Sequence, residues 1–288
     1  MDSVCWRLSL RDVTIELKET IMAKFNAADF AVTKAKPLPI IMLLDESGSM
    51  GQRLGEGIKI DVLNKAVRTM LATLSHEESQ ASEFLVSIIG FGGSGAHFIA
   101  GTESPVTASE VAYSDLLPSG GTPLGAALIA ASQLVEDKER IPSRSYRPLV
   151  ILVCDGEPND SWEAPLNSFI SSGRTAKCDR MALAVGCEEG DKAWAMLEEF
   201  VAGTDNPVWT ADQAADIVKF FKFVTMSVTQ RSQAKDPNKL IPAKEVLMLQ
   251  SGDKAIQNID ADGIIDVEAI VIDPDENEER GFRLNRWG

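Results

Sequence analysis

Short apolar runs and helix-like stripes alternate along the middle of the chain. Apolar positions at spacings of three and four recur around Leu63, Leu124, Leu166, Trp194 and Ile217, as on the buried face of a helix. The brief aliphatic runs between them are typical of strands covered on both faces. Together these runs predict strands at residues 38–44, 84–91, 97–100, 149–153, 181–185 and 208–209.

This alternation predicts an α/β fold. Crossovers between parallel strands are right-handed, and they place helices on both faces of the sheet. We therefore expect a doubly wound, Rossmann-like domain with a mostly parallel six-stranded sheet, in which residues 97–100 form a short edge strand beside residues 84–91. Ligands bind such sheets beyond the carboxyl ends of the strands, where the strand order reverses. The polar loops that follow the strands are therefore the place to expect a site.

The two ends of the chain depart from this pattern. Residues 1–36 contain one alternating stretch, 6–10, that could add a strand. Beyond residue 230 a polar linker leads to a β-rich segment at 264–272 and then to an acidic stretch. We predict an N-terminal extension at 1–36, a main domain at 37–230, and a linker with a β-containing tail at 231–288.

Charge and composition restrict the partners. The 288 residues carry a formal net charge of −15, which would repel nucleic-acid phosphates and anionic membrane surfaces. No apolar run approaches the roughly 18 residues that span a bilayer, and the N-terminus lacks the pattern of a secretion signal. We expect a cytoplasmic protein that binds neither nucleic acid nor membranes.

Cysteine is too sparse to form a disulfide framework. The chain has four cysteines, and no two have the Cys-x-x-Cys spacing of a zinc site. Cys178 and Cys187 flank the predicted strand at 181–185 and could approach one another, but we interpret all four as reduced thiols, because cytoplasmic thiols stay reduced. The four cysteines are Cys5, Cys154, Cys178 and Cys187.

Oxygen-bearing side chains stand in three of the predicted loops. Asp45, Ser47 and Ser49 alternate in the loop after the first strand, Thr122 lies at a helix entrance, and Asp155 follows the strand at 149–153. A donor set made only of oxygen suits a hard cation, so Mg²⁺ is the expected ion, with Mn²⁺ or Ca²⁺ as alternatives. The simpler interpretation of the first loop is that its Asp and Ser residues cap the following helix.

These motifs resemble a known kind of site. Asp-x-Ser-x-Ser at 45–49, Gly-Gly-Thr-Pro at 120–123 and Asp-Gly at 155–156 are similar to the metal-ion-dependent adhesion site of von Willebrand factor A domains, and the resemblance extends over residues 37–230. It implies that Ser47, Ser49 and Thr122 contact the metal through their hydroxyls. It also implies that Asp45 and Asp155 act largely through water or at one remove from the ion.

Three further stretches, at 147–150, 155–162 and 217–224, resemble bacterial TerY-like proteins. Such proteins are encoded with tellurium-resistance and stress-response genes. The resemblance implies a role in a bacterial stress-response, tellurium-resistance or phage-defence system. It also implies a kinase or a phosphatase of the same system as the partner.

The donor set favours binding over catalysis. Neutral hydroxyl ligands leave a dication much of its positive charge, so an Asp or Glu carboxylate of a partner is its natural ligand. A hydrolase would need a base beside the metal, and neither His76 nor His97 lies in these loops. We expect a metal-dependent protein-interaction module and not an enzyme. A metal-assisted phosphohydrolase and a structural subunit with a silent metal site are the alternatives.

Two weaker motifs have simpler interpretations. Gly90-x-Gly92-x-x-Gly95 superficially fits a dinucleotide-binding turn, but a β-like run follows where that motif needs a helix, so we predict a hairpin. In the tail, residues 258–266 partly fit a calcium loop, although Ala269 stands where a bidentate Glu is expected. The Asp-Gly pair at 262–263 favours a hairpin turn there, with calcium binding as the alternative.

Overall fold

A computed structural model describes residues 36–78 and 83–233, and the first strand, β1 (Pro37–Asp45), runs through the middle of its main sheet. All nine residues of β1 are buried. A strand that is covered on both faces has no polar face, and β1, which carries no polar side chain before Asp45, meets that requirement.

Nine strands lie in the described ranges, and seven of them form the main sheet. After β1 they are β2 (Arg53–Leu54), β3 (Gly57–Ile58), β4 (Glu83–Gly92), β5 (Gly95–Ala100), β6 (Val106–Thr107), β7 (Leu149–Cys154), β8 (Asp179–Val185) and β9 (Val208–Ala211). The order of the main sheet is β5-β4-β1-β7-β8-β9, with β6 pairing only with β4. The pairs β1–β4, β1–β7, β7–β8 and β8–β9 are parallel, whereas β5 and β6 run antiparallel to β4.

In the part of the chain that the structure describes, five α-helices cover the two faces of the sheet. Successive residues of β1 point to opposite faces, so Met42 packs in the cluster that contains the first and fifth helices, and Leu43 packs in the cluster that contains the other three. No helix in residues 36–78 and 83–233 is long and apolar enough to cross a membrane. The helices are α1 (Lys59–Glu77), α2 (Leu124–Glu136), α3 (Glu163–Ser171), α4 (Lys192–Val201) and α5 (Ala214–Gln233).

The predicted fold class is confirmed: the domain is α/β, its sheet is mostly parallel, and helices lie on both faces. The predicted edge strand is β5. Three strands were not predicted, namely β2, β3 and β6, because two-residue strands carry no periodic signal. Helix α2 begins at Leu124, two residues after Thr122, so Thr122 does lie at a helix entrance.

Several predictions fall outside the described residues. They concern the strand at 6–10, the β-rich segment at 264–272, the calcium-like loop at 258–266, and Cys5. The boundaries proposed for the main domain also stay predictions, although helix α5 continues to Gln233, three residues past the predicted end.

The strand order reverses beside β1. The chain first places β4 on one side of β1 and later places β7 on the other side. Asp45 ends β1, and Asp155 directly follows β7, so both aspartates stand at the carboxyl edge where the order reverses. A ligand site is expected at such a switch point.

Candidate metal centre

The side chain of Asp45 is buried beneath the loop that follows β1. Its Oδ1 accepts a hydrogen bond from the backbone N–H of Ser47 at 2.7 Å. Its Oδ2 lies 3.2 Å from the thiol of Cys154 and 3.4 Å from the backbone N of Asp155. The aspartate therefore joins the end of β1 to the end of β7.

Next to Asp45, the hydroxyls of Ser47 and Ser49 form a close cluster with the carboxylate of Asp155. The Oγ atoms of Ser47 and Ser49 are 2.9 Å apart. The Ser49 hydroxyl donates to Oδ1 of Asp155 at 2.6 Å, and the Ser47 hydroxyl lies 3.4 Å from the same oxygen. The structure thus brings together four of the five predicted ligands from two separate loops.

Thr122, the fifth, arrives on a third loop that is tied to the first one. The backbone N–H of Ser119 donates to O of Glu46 at 2.7 Å, and that of Gly48 donates to O of Gly120 at 2.9 Å. Thr122 is buried. Within residues 36–78 and 83–233, however, no hydrogen bond joins its hydroxyl to the other four side chains.

Glycine is required where the third loop meets the hairpin of β4 and β5. Gly120 has a φ of +56°, and a Cβ on it would lie 2.6 Å from Cα of Gly93. The backbone N–H of Gly93 in turn donates to O of Ser119 at 2.6 Å. The hairpin predicted at residues 90–95 is therefore present, and its turn supports the loop that carries Thr122.

The electrostatics of the cluster favour an added cation. Burial, and then the neighbouring Asp155 carboxylate, raise the pKa of Asp45 from 3.8 to about 6, against the opposing effect of the hydrogen bonds from Ser47. A buried carboxyl whose pKa is raised by a second carboxylate lies where positive charge is deficient. Hydroxyls and carboxylates are also hard oxygen donors, so the residues present fit a Mg²⁺ ion.

Sequence reasoning missed a lysine that contacts this cluster. Nζ of Lys59, the first residue of α1, lies 2.9 Å from Oδ2 of Asp155, and both side chains are almost completely buried. In the sequence Lys59 stands between two isoleucines with nothing to mark it. Its role depends on where α1 begins, which the pattern did not fix.

Asn159 and Asp160 were also missed as positioning residues, although they lie in the stretch that carries the TerY-like resemblance. Oδ1 of Asn159 accepts from the backbone N–H of Thr122 at 3.0 Å. The Asp160 carboxylate accepts from the backbone N–H groups of Gly125 and Ala126, each at 3.0 Å. These contacts tie the loop after β7 to the entrance of α2.

One histidine lies nearer to the site than the sequence suggested. His97 on β5 places its Nδ1 3.2 Å from Oε1 of Glu46, the residue next to Asp45. Burial raises the pKa of the Glu46 carboxyl, and His97 opposes that rise. The histidine is outside the metal loops, as its sequence position implied, but it contacts one of them.

A carboxylate-rich or histidine-rich metal cluster is not found: in the part of the chain that the structure describes, no three His, Cys, Asp or Glu side chains are grouped to hold a metal ion. The candidate centre has only two carboxylates, those of Asp45 and Asp155. Serine and threonine hydroxyls would have to supply the other ligands.

Comparisons with known proteins agree with the fold. Residues 40–157 match the family model of the von Willebrand factor type A domain. No curated protein is a significant match to the sequence.

Among solved structures, three similar ones are a von Willebrand factor type A protein from Catenulispora acidiphila, the pilus adhesin SpaC from Lactobacillus rhamnosus GG, and proximal thread matrix protein 1 from the mussel byssus. Their sequence identities are 19%, 15% and 15%, with TM-scores of 0.51, 0.54 and 0.50. Each alignment covers 67% of this chain but only 43%, 30% and 47% of those chains, respectively.

At these identities the structural similarity supports the fold alone. The match to the family model applies to residues 40–157. The loops after β1 and β7 both lie inside the matched range. Residues 40–157 therefore match a von Willebrand factor type A domain in sequence, and the described domain has the fold of such proteins.

Proposed function

We propose that this protein is a metal-dependent protein-interaction module. Ser47, Ser49 and Thr122 would hold a Mg²⁺ ion through their hydroxyls, with Asp45 and Asp155 acting through water or hydrogen bonds. The bound ion would supply a positive centre for an Asp or Glu carboxylate of a partner protein. The proposed centre is a metal-ion-dependent adhesion site.

The observation that carries this proposal is the convergence of two serine hydroxyls on one buried carboxylate. Ser49 and Ser47 both approach Oδ1 of Asp155, at 2.6 and 3.4 Å. Helix capping, the simpler interpretation, does not account for this geometry, because neither serine side chain caps a helix: the 3₁₀ turn that begins at Gly48 has no side-chain hydrogen bond at its cap.

Accessibility supports binding of an external group. Gly48 is exposed and Ser49 is half-buried, whereas Asp45 and Ser47 lie beneath them. Of the three hydroxyl residues Ser49 is the partly exposed one, whereas Ser47 and Thr122 are buried. An external group would therefore approach the cluster from the side of Gly48 and Ser49.

The similarity to TerY-like proteins supports a cellular setting. We place the protein in the cytoplasm of a bacterium, in a stress-response, tellurium-resistance or phage-defence system, with a kinase or phosphatase of that system as the partner. The net charge of −15 suits a partner whose own surface is basic around the recognised carboxylate.

Titration calorimetry with MgCl₂ and MnCl₂ on the full chain tests the metal site. Wild type should bind one ion, and Ser49→Ala or Ser47→Ala should weaken that binding at least about tenfold, since each removes a hard oxygen donor. Ser168→Ala, on the exposed side of α3, is the matched control and should bind as wild type does.

Capture of partners from the native cell tests the interaction. Proteins held by the wild-type chain should be released by a chelator and should fail to bind the Ser49→Ala chain. A partner that binds Ser49→Ala undiminished, after that variant has lost its metal, would show that the metal does not mediate recognition. The structural-subunit alternative would then stand.

A further inference from the structure

Lys59 presents a buried positive charge to the site from the side opposite the serines. Its Nζ lies 2.9 Å from Oδ2 of Asp155, and the serine hydroxyls approach the other oxygen, Oδ1. The two oxygens of one carboxylate are thus shared between an ammonium and the hydroxyl cluster.

The position of this lysine is unfavourable unless the charge has a use. Lys59 is the first residue of α1, where the helix dipole disfavours a cation. Lys59 is only 6% exposed, and removing an ammonium group from water is costly without a paired charge. Asp155 offsets both costs, and the short β2–β3 hairpin, which ends at Ile58, delivers the lysine to that contact.

The neighbourhood of the lysine confines it to this contact. Nζ of Lys59 lies 3.4 Å from where a Cβ on Gly186 would be, and the φ of Gly186 is +70°. The loop after β8 therefore lies against the ammonium, and a side chain at position 186 would contact it.

We propose that Lys59 is an internal counter-cation of the metal site, a positioning residue that holds Asp155 in place and weakens the affinity for the dication. The inference rests on the function proposed above. The positive charge of Lys59 offsets one of the two negative charges of the site carboxylates. An incoming dication therefore meets less attraction and is also repelled by the ammonium. The pair also keeps the ion-free loops assembled, because Asp155 already has a partner.

Binding of Mn²⁺ alone to the full chain, measured by calorimetry and by electron paramagnetic resonance, tests the inference. Lys59→Met removes the charge and keeps much of the side-chain volume, so it should bind Mn²⁺ at least about fivefold more tightly than wild type. Lys65→Met makes the same change at an exposed position of α1 and should leave the affinity unchanged.

Thermal unfolding gives a second, independent readout. Without metal, Lys59→Met should lower the Tm, because it leaves the Asp155 carboxylate buried and unpaired. Saturating Mn²⁺ should then raise the Tm of Lys59→Met by more than it raises the Tm of wild type. Lys59→Arg keeps the positive charge and should therefore not bind Mn²⁺ more tightly than wild type.

The outcomes separate this inference from the proposed function. Equal or weaker Mn²⁺ binding by Lys59→Met, with measurable binding by wild type, would overturn the role of Lys59 and leave the metal site standing. Failure of both proteins to bind Mn²⁺ would overturn the metal site as well. If Lys59→Met does not fold, Lys59→Gln takes its place, with the same direction expected.

Discussion

The side-chain oxygen of Asn159 accepts a hydrogen bond from the backbone N–H of Thr122 at 3.0 Å, across 37 residues of sequence. The backbone N–H of Asn159 donates in return to O of Thr122 at 3.1 Å. This reciprocal pair fixes the loop after β7 to the loop that carries the fifth predicted ligand. Gly121 is a glycine for the same reason, because a Cβ there would overlap the Asn159 amide.

Replacing Asn159 should therefore weaken metal binding through Thr122. We expect Asn159→Ala to raise the Kd for Mg²⁺ by about three- to tenfold, as is common when a group that orients a ligand is lost. Calorimetry measures this change, and Asn167→Ala, at an exposed site on α3, is the control. An unchanged Kd for Asn159→Ala would mean that Thr122 does not depend on this bond.

Asp160 should affect stability more than metal affinity. Its carboxylate accepts from two first-turn amides of α2, those of Gly125 and Ala126, and so caps a helix to which it does not belong. Asp160→Ala should cost about 1 kcal/mol of unfolding free energy, the usual effect of losing an N-terminal cap. Urea denaturation in metal-free buffer checks this, with the exposed Asp205→Ala expected to be nearly neutral.

The layers of the fold could be predicted from the sequence, because the central strands are aliphatic runs and each helix carries a clear stripe of apolar residues. β1 and β7 are buried at every residue, and that burial is readable as an absence of polar positions. The two-residue strands β2, β3 and β6 could not be predicted from the sequence. The β2–β3 hairpin is set by Gly55, with a φ of +59°, and by contacts that no local pattern encodes.

The site was predictable as far as its ligand types and loops, and no further. Asp45, Ser47, Ser49 and Asp155 converge as their positions at strand ends implied. The Lys59 contact depends on the residue at which α1 starts, and periodicity places a helix end only to within a few residues.

His97 was missed for a related reason. Its contact with Glu46 depends on the register of the β4–β5 hairpin, which pairs His97 with Gly90. Gly90 leaves room for the Glu46 side chain. Neither the register nor the space left by a glycine is visible in the alternation of apolar residues.

Gly120→Ala should damage both the fold and the site. Its φ of +56° is strained for alanine, and the added Cβ would lie 2.6 Å from Cα of Gly93. We expect a loss of about 2 kcal/mol or more in unfolding free energy, together with weaker Mg²⁺ binding. Gly156→Ala is the control for stability, since a Cβ there meets nothing within 4 Å. Equal stability of the two variants would contradict the tight approach of the two loops.

Asp179 should be essential for stability at the opposite end of the sheet. Its Oδ2 lies 3.1 Å from a guanidinium nitrogen of Arg231, which is fully buried, and its Oδ1 lies 3.2 Å from Arg147. Asp179→Asn removes the negative charge between two arginines, so we expect a loss of about 3 kcal/mol or more, as for other broken buried pairs. The exposed Arg68–Asp115 pair is the comparison, and Asp115→Asn should change denaturation curves little.

Cys178 should be chemically inert in the folded protein. Burial raises the pKa of its thiol from 9.0 to about 12. The thiolate fraction at pH 8 is then roughly a thousandfold lower than for a free cysteine, and alkylation should slow by at least that factor. Because the folded pKa lies above the unfolded one, the stability that this thiol contributes is complete below pH 9.0 and is lost as the pH rises towards about 12.

Iodoacetamide labelling followed by peptide mass spectrometry, with urea-unfolded protein as the reference, measures the rate at which Cys178 is alkylated. Labelling of Cys178 at the unfolded rate would show that the end of the sheet around β8 opens in solution.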